Sequence, residues 1–187
     1  MTKVLRYGDR IKLQNGYKEW TGGFLAAIVP AADFAYAKYD VMTTETAYCG
    51  NGELTWSIES GASKTAGTEI MSGDIILIQN QRTAGRSYLC VSGFFLEYMS
   101  YSVLTVTEDQ RPLETLTWRI TAKSPSPADG KVREGEVIQL LSGDKNFPGG
   151  LLDTIEEIVA GGMKYNASAC YRERPDVSAT WWRVSVV

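Results

Sequence analysis

The chain has 187 residues, 44% of them hydrophobic, a formal net charge of −3 and no histidine. Such a length holds one sizeable core and is short for two, and scattered Lys and Arg on an acidic chain do not form the basic footprint that nucleic-acid binding needs. Without imidazole, Ser-His-Asp and Cys-His nucleophile pairs, the common zinc sites and histidine acid–base chemistry are excluded, so the expectation is a non-enzyme with no catalytic residue, metal or cofactor.

The chain reaches Tyr7-Gly8-Asp9 before any apolar run forms, so neither a signal-peptide core nor a membrane span is expected. The expected location is cytoplasmic, or outside the cell by a route without a classical signal peptide. Cys49, Cys90 and Cys170 are odd in number and lack metal-ligand spacing. That fits three reduced thiols better than a disulfide framework, with one pair left open.

The first element, Gly8-Asp9-Arg10-Ile11-Lys12-Leu13-Gln14-Asn15, alternates polar and apolar residues as a half-buried strand does. It returns as Gly73 to Asn80 and as Gly135 to Ser142, with Ile11, Leu13, Ile76, Ile78, Ile138 and Leu140 as the inward set. A loop rich in Gly, Asn and Pro follows each copy, and then a short apolar stretch containing Leu25, Leu89 or Leu152. The third strands hold Tyr39-Asp40-Val41, Tyr101-Ser102-Val103 and Tyr165-Asn166-Ala167; the fourth hold Trp56-Ser57-Ile58, Trp118-Arg119-Ile120 and Trp182-Arg183-Val184. Each Trp stands 17 residues after its Tyr, and the next opening Gly stands 17 after Trp56 and after Trp118. Single helical turns are expected at most at Ala31 to Ala37 and at Ile155 to Ile158.

Four short strands per unit, in repeats near 5–66, 67–128 and 129–187, make twelve strands in one all-β domain over 1–187. That arithmetic predicts a β-trefoil with three pseudo-symmetric repeats. A β-sandwich would not require equal connectors, and a propeller would use shorter and more numerous blades.

On Gly-Asp-x-Ile-x-Leu-x-Asn, Gly-Gly-x-Leu and Trp-x-Ile, from about Tyr7 to Val186, the chain resembles the β-trefoil superfamily, especially the ricin-B-like lectins and the related fascin-like and MIR-like modules. It departs from the lectins where they carry Gln-x-Trp: Leu54, Leu116 and Thr180 stand there. The resemblance implies that a Leu-Asp pair on the second strand supplies a carboxylate for sugar hydroxyls. Only Leu152-Asp153 matches, with Ala26 and Cys90 at the aligned places.

A sugar site combines hydrogen-bonding groups with an aromatic face, because a pyranose shows both kinds of surface. Asp153 is the candidate carboxylate, Asn146 and Asn166 are amide candidates, and Tyr165, Tyr171 and Trp181 are candidate platforms. Trp181 is set apart because Thr55 and Thr117 hold its place elsewhere, beside a core Trp, so alternation points it outward. Trp20, in the first loop, is a further binding candidate, with a cover over the barrel mouth as its other reading. The recurrent Tyr39, Tyr101 and Tyr165 suit framework as well as binding, and the apolar run Phe94 to Met99 suits a partner surface or a packed hairpin end. Two readings follow. One is a lectin-like module for a glycan or glycoconjugate, with its best site in the third repeat. The other is a protein-binding module: a fascin-like cytoskeletal binder, a protease inhibitor, or an assembly or toxin subunit.

Overall fold

A computed structural model describes residues 2–30, 37–82, 86–96, 100–111, 115–125, 127–143, 150–160, 162–170 and 176–187. Among them twelve strands form one antiparallel sheet: β1 (Arg10–Asn15), β2 (Phe24–Pro30), β3 (Ala37–Thr44), β4 (Trp56–Ser60), β5 (Ile75–Asn80), β6 (Ser87–Leu96), β7 (Ser100–Val106), β8 (Thr117–Ala122), β9 (Val137–Ser142), β10 (Leu151–Ala160), β11 (Met163–Cys170) and β12 (Trp182–Val186). Strands β1, β4, β5, β8, β9 and β12 pair each with the next, and β12 pairs back onto β1, which closes a barrel-like wall. Closure gives each of these six strands a partner on both sides. The pairs β2–β3, β6–β7 and β10–β11 are hairpins, and β3, β7 and β11 also pair with one another.

The expected inward set, Ile11, Leu13, Ile76, Ile78, Ile138 and Leu140, is buried throughout. So are Trp56, Trp118 and Trp182, whose Nε1 atoms donate to the carbonyl oxygens of Leu25, Leu89 and Leu152 at 2.9, 3.0 and 3.0 Å. A large ring can enter the core only if its one polar atom is satisfied there. The Leu that recurs on each second strand supplies that acceptor through its backbone.

The recurrent Gly-acid pair is a turn. Gly8, Gly73 and Gly135 have φ of 95, 99 and 81°, a region closed to most side chains. Their N–H groups donate to Ile58, Ile120 and Val184, each at 2.7 Å. The acids that follow, Asp9, Asp74 and Glu136, accept the N–H of Arg6, Met71 and Arg133 at 2.9, 2.9 and 2.8 Å. Just before these turns lie Leu5, Ile70 and Val132, fully buried. Leu5 N–H donates to Val132, Val132 to Ile70 and Ile70 to Leu5, at 2.9, 3.0 and 2.9 Å, a ring of three bonds.

Ile155 to Ile158 lie within β10, a correction to the helical turn expected there: the antiparallel ladder with β11 satisfies backbone groups that a lone helical turn would leave open. Residues 31–36 lie outside the described residues, as do the side chains of Phe94 to Met99. No disulfide joins the three cysteines. Among the described residues no group of three His, Cys, Asp or Glu could hold a metal, and no helix is long and apolar enough to cross a membrane.

Candidate functional site

The loop after β1 is joined to the segment before β12. Asn15 is fully buried; its Nδ2 donates to the Ala179 carbonyl at 2.8 Å and its Oδ1 accepts the Tyr17 N–H at 3.0 Å. Gly16 N–H donates to the Trp181 carbonyl at 2.8 Å. A Cβ on Gly16 would stand 2.8 Å from the Ser178 carbonyl oxygen and 3.0 Å from the Trp181 Cβ, so only glycine permits this pass. The matching bonds run from Gln81 to Thr55 and from Gly143 to Thr117, at 2.9 and 2.8 Å. Trp181 therefore occupies the backbone position that threonine fills in the other two places.

Beyond Gly16 the chain makes one left-handed turn, with φ of 46, 58 and 71° at Lys18, Glu19 and Trp20. For non-glycine residues this conformation costs roughly 1–2 kcal/mol each. Surrounding contacts hold it. Gln14 Nε2 donates to the Trp20 carbonyl and Lys164 Nζ to the Thr21 carbonyl, both at 2.9 Å, and the Tyr17 ring meets Tyr165 edge-on at 5.1 Å.

This turn sets Trp20 over the Arg183 guanidinium, 3.9 Å from the ring centre, and Lys123 Nζ lies 3.2 Å from the centre of the Trp181 ring. Trp20, Trp181, Lys123, Glu136 and Val137 line one groove of about 460 Å³. Arg183 borders it, in register with Gln14 on β1 and Val137 on β9. Both indoles are partly exposed, unlike the three core tryptophans. The Trp181 Nε1 has no hydrogen-bond partner among the described residues, so stacking holds this ring in place of the bond that anchors Trp56, Trp118 and Trp182. Glu136 accepts the Arg133 N–H through Oε2, while its buried Oε1 has no hydrogen-bond partner among the described residues. The groove offers aromatic faces, the Lys123 ammonium and the Glu136 carboxylate, with Arg183 at its border.

Trp20 and Trp181, the expected loop and outward aromatics, thus come together. The others do not join them. Asp153 is completely buried on β10, opposite Ser168, with Oδ1 accepting the Thr154 N–H at 2.6 Å. This corrects its reading as a sugar ligand: with no surface open to solvent, its carboxylate cannot meet sugar hydroxyls. Tyr165 is buried and braces Tyr17, a framework role, and the half-buried Asn166 faces Met42 and Ile155 in the ladder. Asn146 and Tyr171 lie outside the described residues. Lys123, Arg183 and Glu136 escaped the sequence reading. Arg183 carried a signal, since it alternates with buried Trp182 and Val184 and so faces outward.

No protein-family model matches the sequence, and a sequence search of curated proteins gives no match. Solved structures are similar. The SDF2-like protein from Arabidopsis thaliana superposes with a TM-score of 0.76 at 14% identity, over 98% of this chain and 95% of that one. The Saccharomyces cerevisiae protein O-mannosyltransferase Pmt1–Pmt2 complex bound to the sugar donor gives 0.69 at 15% identity, over 99% of this chain but 26% of that chain. The binding domain of botulinum neurotoxin serotype D gives 0.68 at 11%, over 97% of this chain and 42% of that one. At such identities the likeness establishes the fold alone. The chain is an all-β protein with a barrel-like sheet, and it resembles the β-trefoil superfamily.

Proposed function

We propose that residues 1–187 form a single β-trefoil domain of three repeats, near 5–66, 67–128 and 129–187, and that it is a non-enzymatic, lectin-like module for a glycan or glycoconjugate. The observation that carries this reading is the convergence of Trp20 and Trp181 on one groove. Two indoles from opposite ends of the chain, one held by a strained turn, offer flat faces for the apolar side of a sugar ring. Lys123 beside them supplies N–H donors for hydroxyl oxygens. The groove volume falls in the range of small-ligand sites, about 300–1,000 Å³. The site draws on all three repeats, with Trp20 from the first, Lys123 from the second and Trp181 from the third, rather than on the third alone. That a similar structure is a mannosyltransferase complex bound to a sugar donor, and another a toxin binding domain, supports the reading by analogy of fold.

A glycan array with the wild type, Trp20→Ala and Trp181→Thr tests it. The expected result is a defined set of bound glycans lost in both variants. A wild type that binds none would overturn the carbohydrate reading and leave the protein-binding one, for which half-exposed Tyr48 and Val177 are starting points.

A further inference from the structure

We infer that the groove selects a saccharide that carries a carboxylate, with Arg183 as the anchor for that charge; the inference rests on the carbohydrate reading above. Arg183 is half-buried, and one face of its guanidinium is covered by Trp20. Among the described residues it makes no ion pair, whereas Arg86 and Arg133 meet Glu59 and Asp129 at 2.8 and 2.6 Å. A guanidinium stacked through its face keeps its N–H donors in the plane of the group. That fork matches the two oxygens of a carboxylate.

Within the lining Lys123 and Glu136 offset one another in charge, and Arg183, at the border beneath Trp20, adds one cation. The strained turn also finds a purpose here, because it is what brings the Trp20 ring onto Arg183. Arg119 is an internal control: it holds the matching position after Trp118 but is exposed on the wall, and Thr117 stands where Trp181 does.

The test uses matched probes, trigalacturonate and its methyl ester, in which esterification removes the charge from the same saccharide, titrated against the whole chain by calorimetry. The acid should bind at least tenfold more tightly than the ester. Arg183→Gln should abolish that preference, and Arg183→Lys, which keeps a cation beneath Trp20 but loses the fork, should remove most of it. Arg119→Gln should leave it intact. An ester that binds as well as the acid, or a preference that survives Arg183→Gln, overturns the inference while the carbohydrate reading stands. Binding of neither probe by a protein that does bind neutral glycans on the array overturns it equally. A chain that binds no glycan at all removes the underlying reading, and the inference with it.

Discussion

Replacing each core tryptophan by phenylalanine tests the interior of the barrel one copy at a time. In Trp56, Trp118 and Trp182 the indole N–H donates to a buried leucine carbonyl at 2.9 to 3.0 Å. Phenylalanine removes the donor and leaves the acceptor, and an orphaned buried polar group costs about 1–3 kcal/mol. The smaller ring adds a cavity, for which about 1 kcal/mol is a fair allowance against the 3–5 of complete aromatic truncation. The sum is roughly 2–4 kcal/mol per variant, a large part of the ~5–15 kcal/mol that holds most domains folded. With a urea slope near 2 kcal/mol/M, equilibrium unfolding should show the midpoint fall by about 1–2 M. The three losses should agree within about 1 kcal/mol, because the bonds are alike in length and burial. A variant that loses less than about 0.5 kcal/mol would refute the claim that these bonds are equivalent and structural.

Trp181→Thr installs the residue of the other two copies and should change stability by less than ~1 kcal/mol in the same urea assay while abolishing glycan binding; a cost above 3 kcal/mol would make it a core residue. Glu19→Gly should raise stability by about 0.5–1 kcal/mol, since glycine takes the φ of 58° without strain; destabilisation would show that the left-handed turn is not strained. Gly16→Ala forces a Cβ against the Ser178 carbonyl and should cost ~1–3 kcal/mol and weaken binding, read by urea unfolding and calorimetry. Bonding to Arg133 lowers the Asp129 carboxyl from 3.8 to about 2, and the folded value lies below the unfolded one. Its stabilisation is therefore present above about pH 3.8 and disappears as pH falls through about 2, so the wild-type urea midpoint should drop across that window more steeply than that of Asp129→Asn. Parallel curves would count against the pair.

The scaffold was legible because its physical requirement recurs. An inward Ile or Leu at every second place, a Gly that must take positive φ, and a Trp that must reach a Leu carbonyl leave the same spacing three times over. The groove was legible only in part. Trp181 stood out by breaking the pattern at Thr55 and Thr117, but its meeting with Trp20 depends on Asn15 and Gly16 gripping a segment more than 160 residues away. Such a contact leaves no local period to read. Asp153 misled for the opposite reason: a two-residue match says which side of a strand a carboxylate takes, not whether another segment will lie across it. Here Asp153 ends with no exposed surface.

The barrel is sealed where β1 meets β12, and the groove lies across that seam. During synthesis, β1 emerges early and can pair with β4, yet Trp20 has no Arg183 to cover until β12 has been made. A nascent chain that has already formed β2 through β11 still lacks Trp181 and Arg183. On the proposed reading, the groove is complete only once β12 has joined β1, so binding of a glycan would double as a report that the barrel has closed.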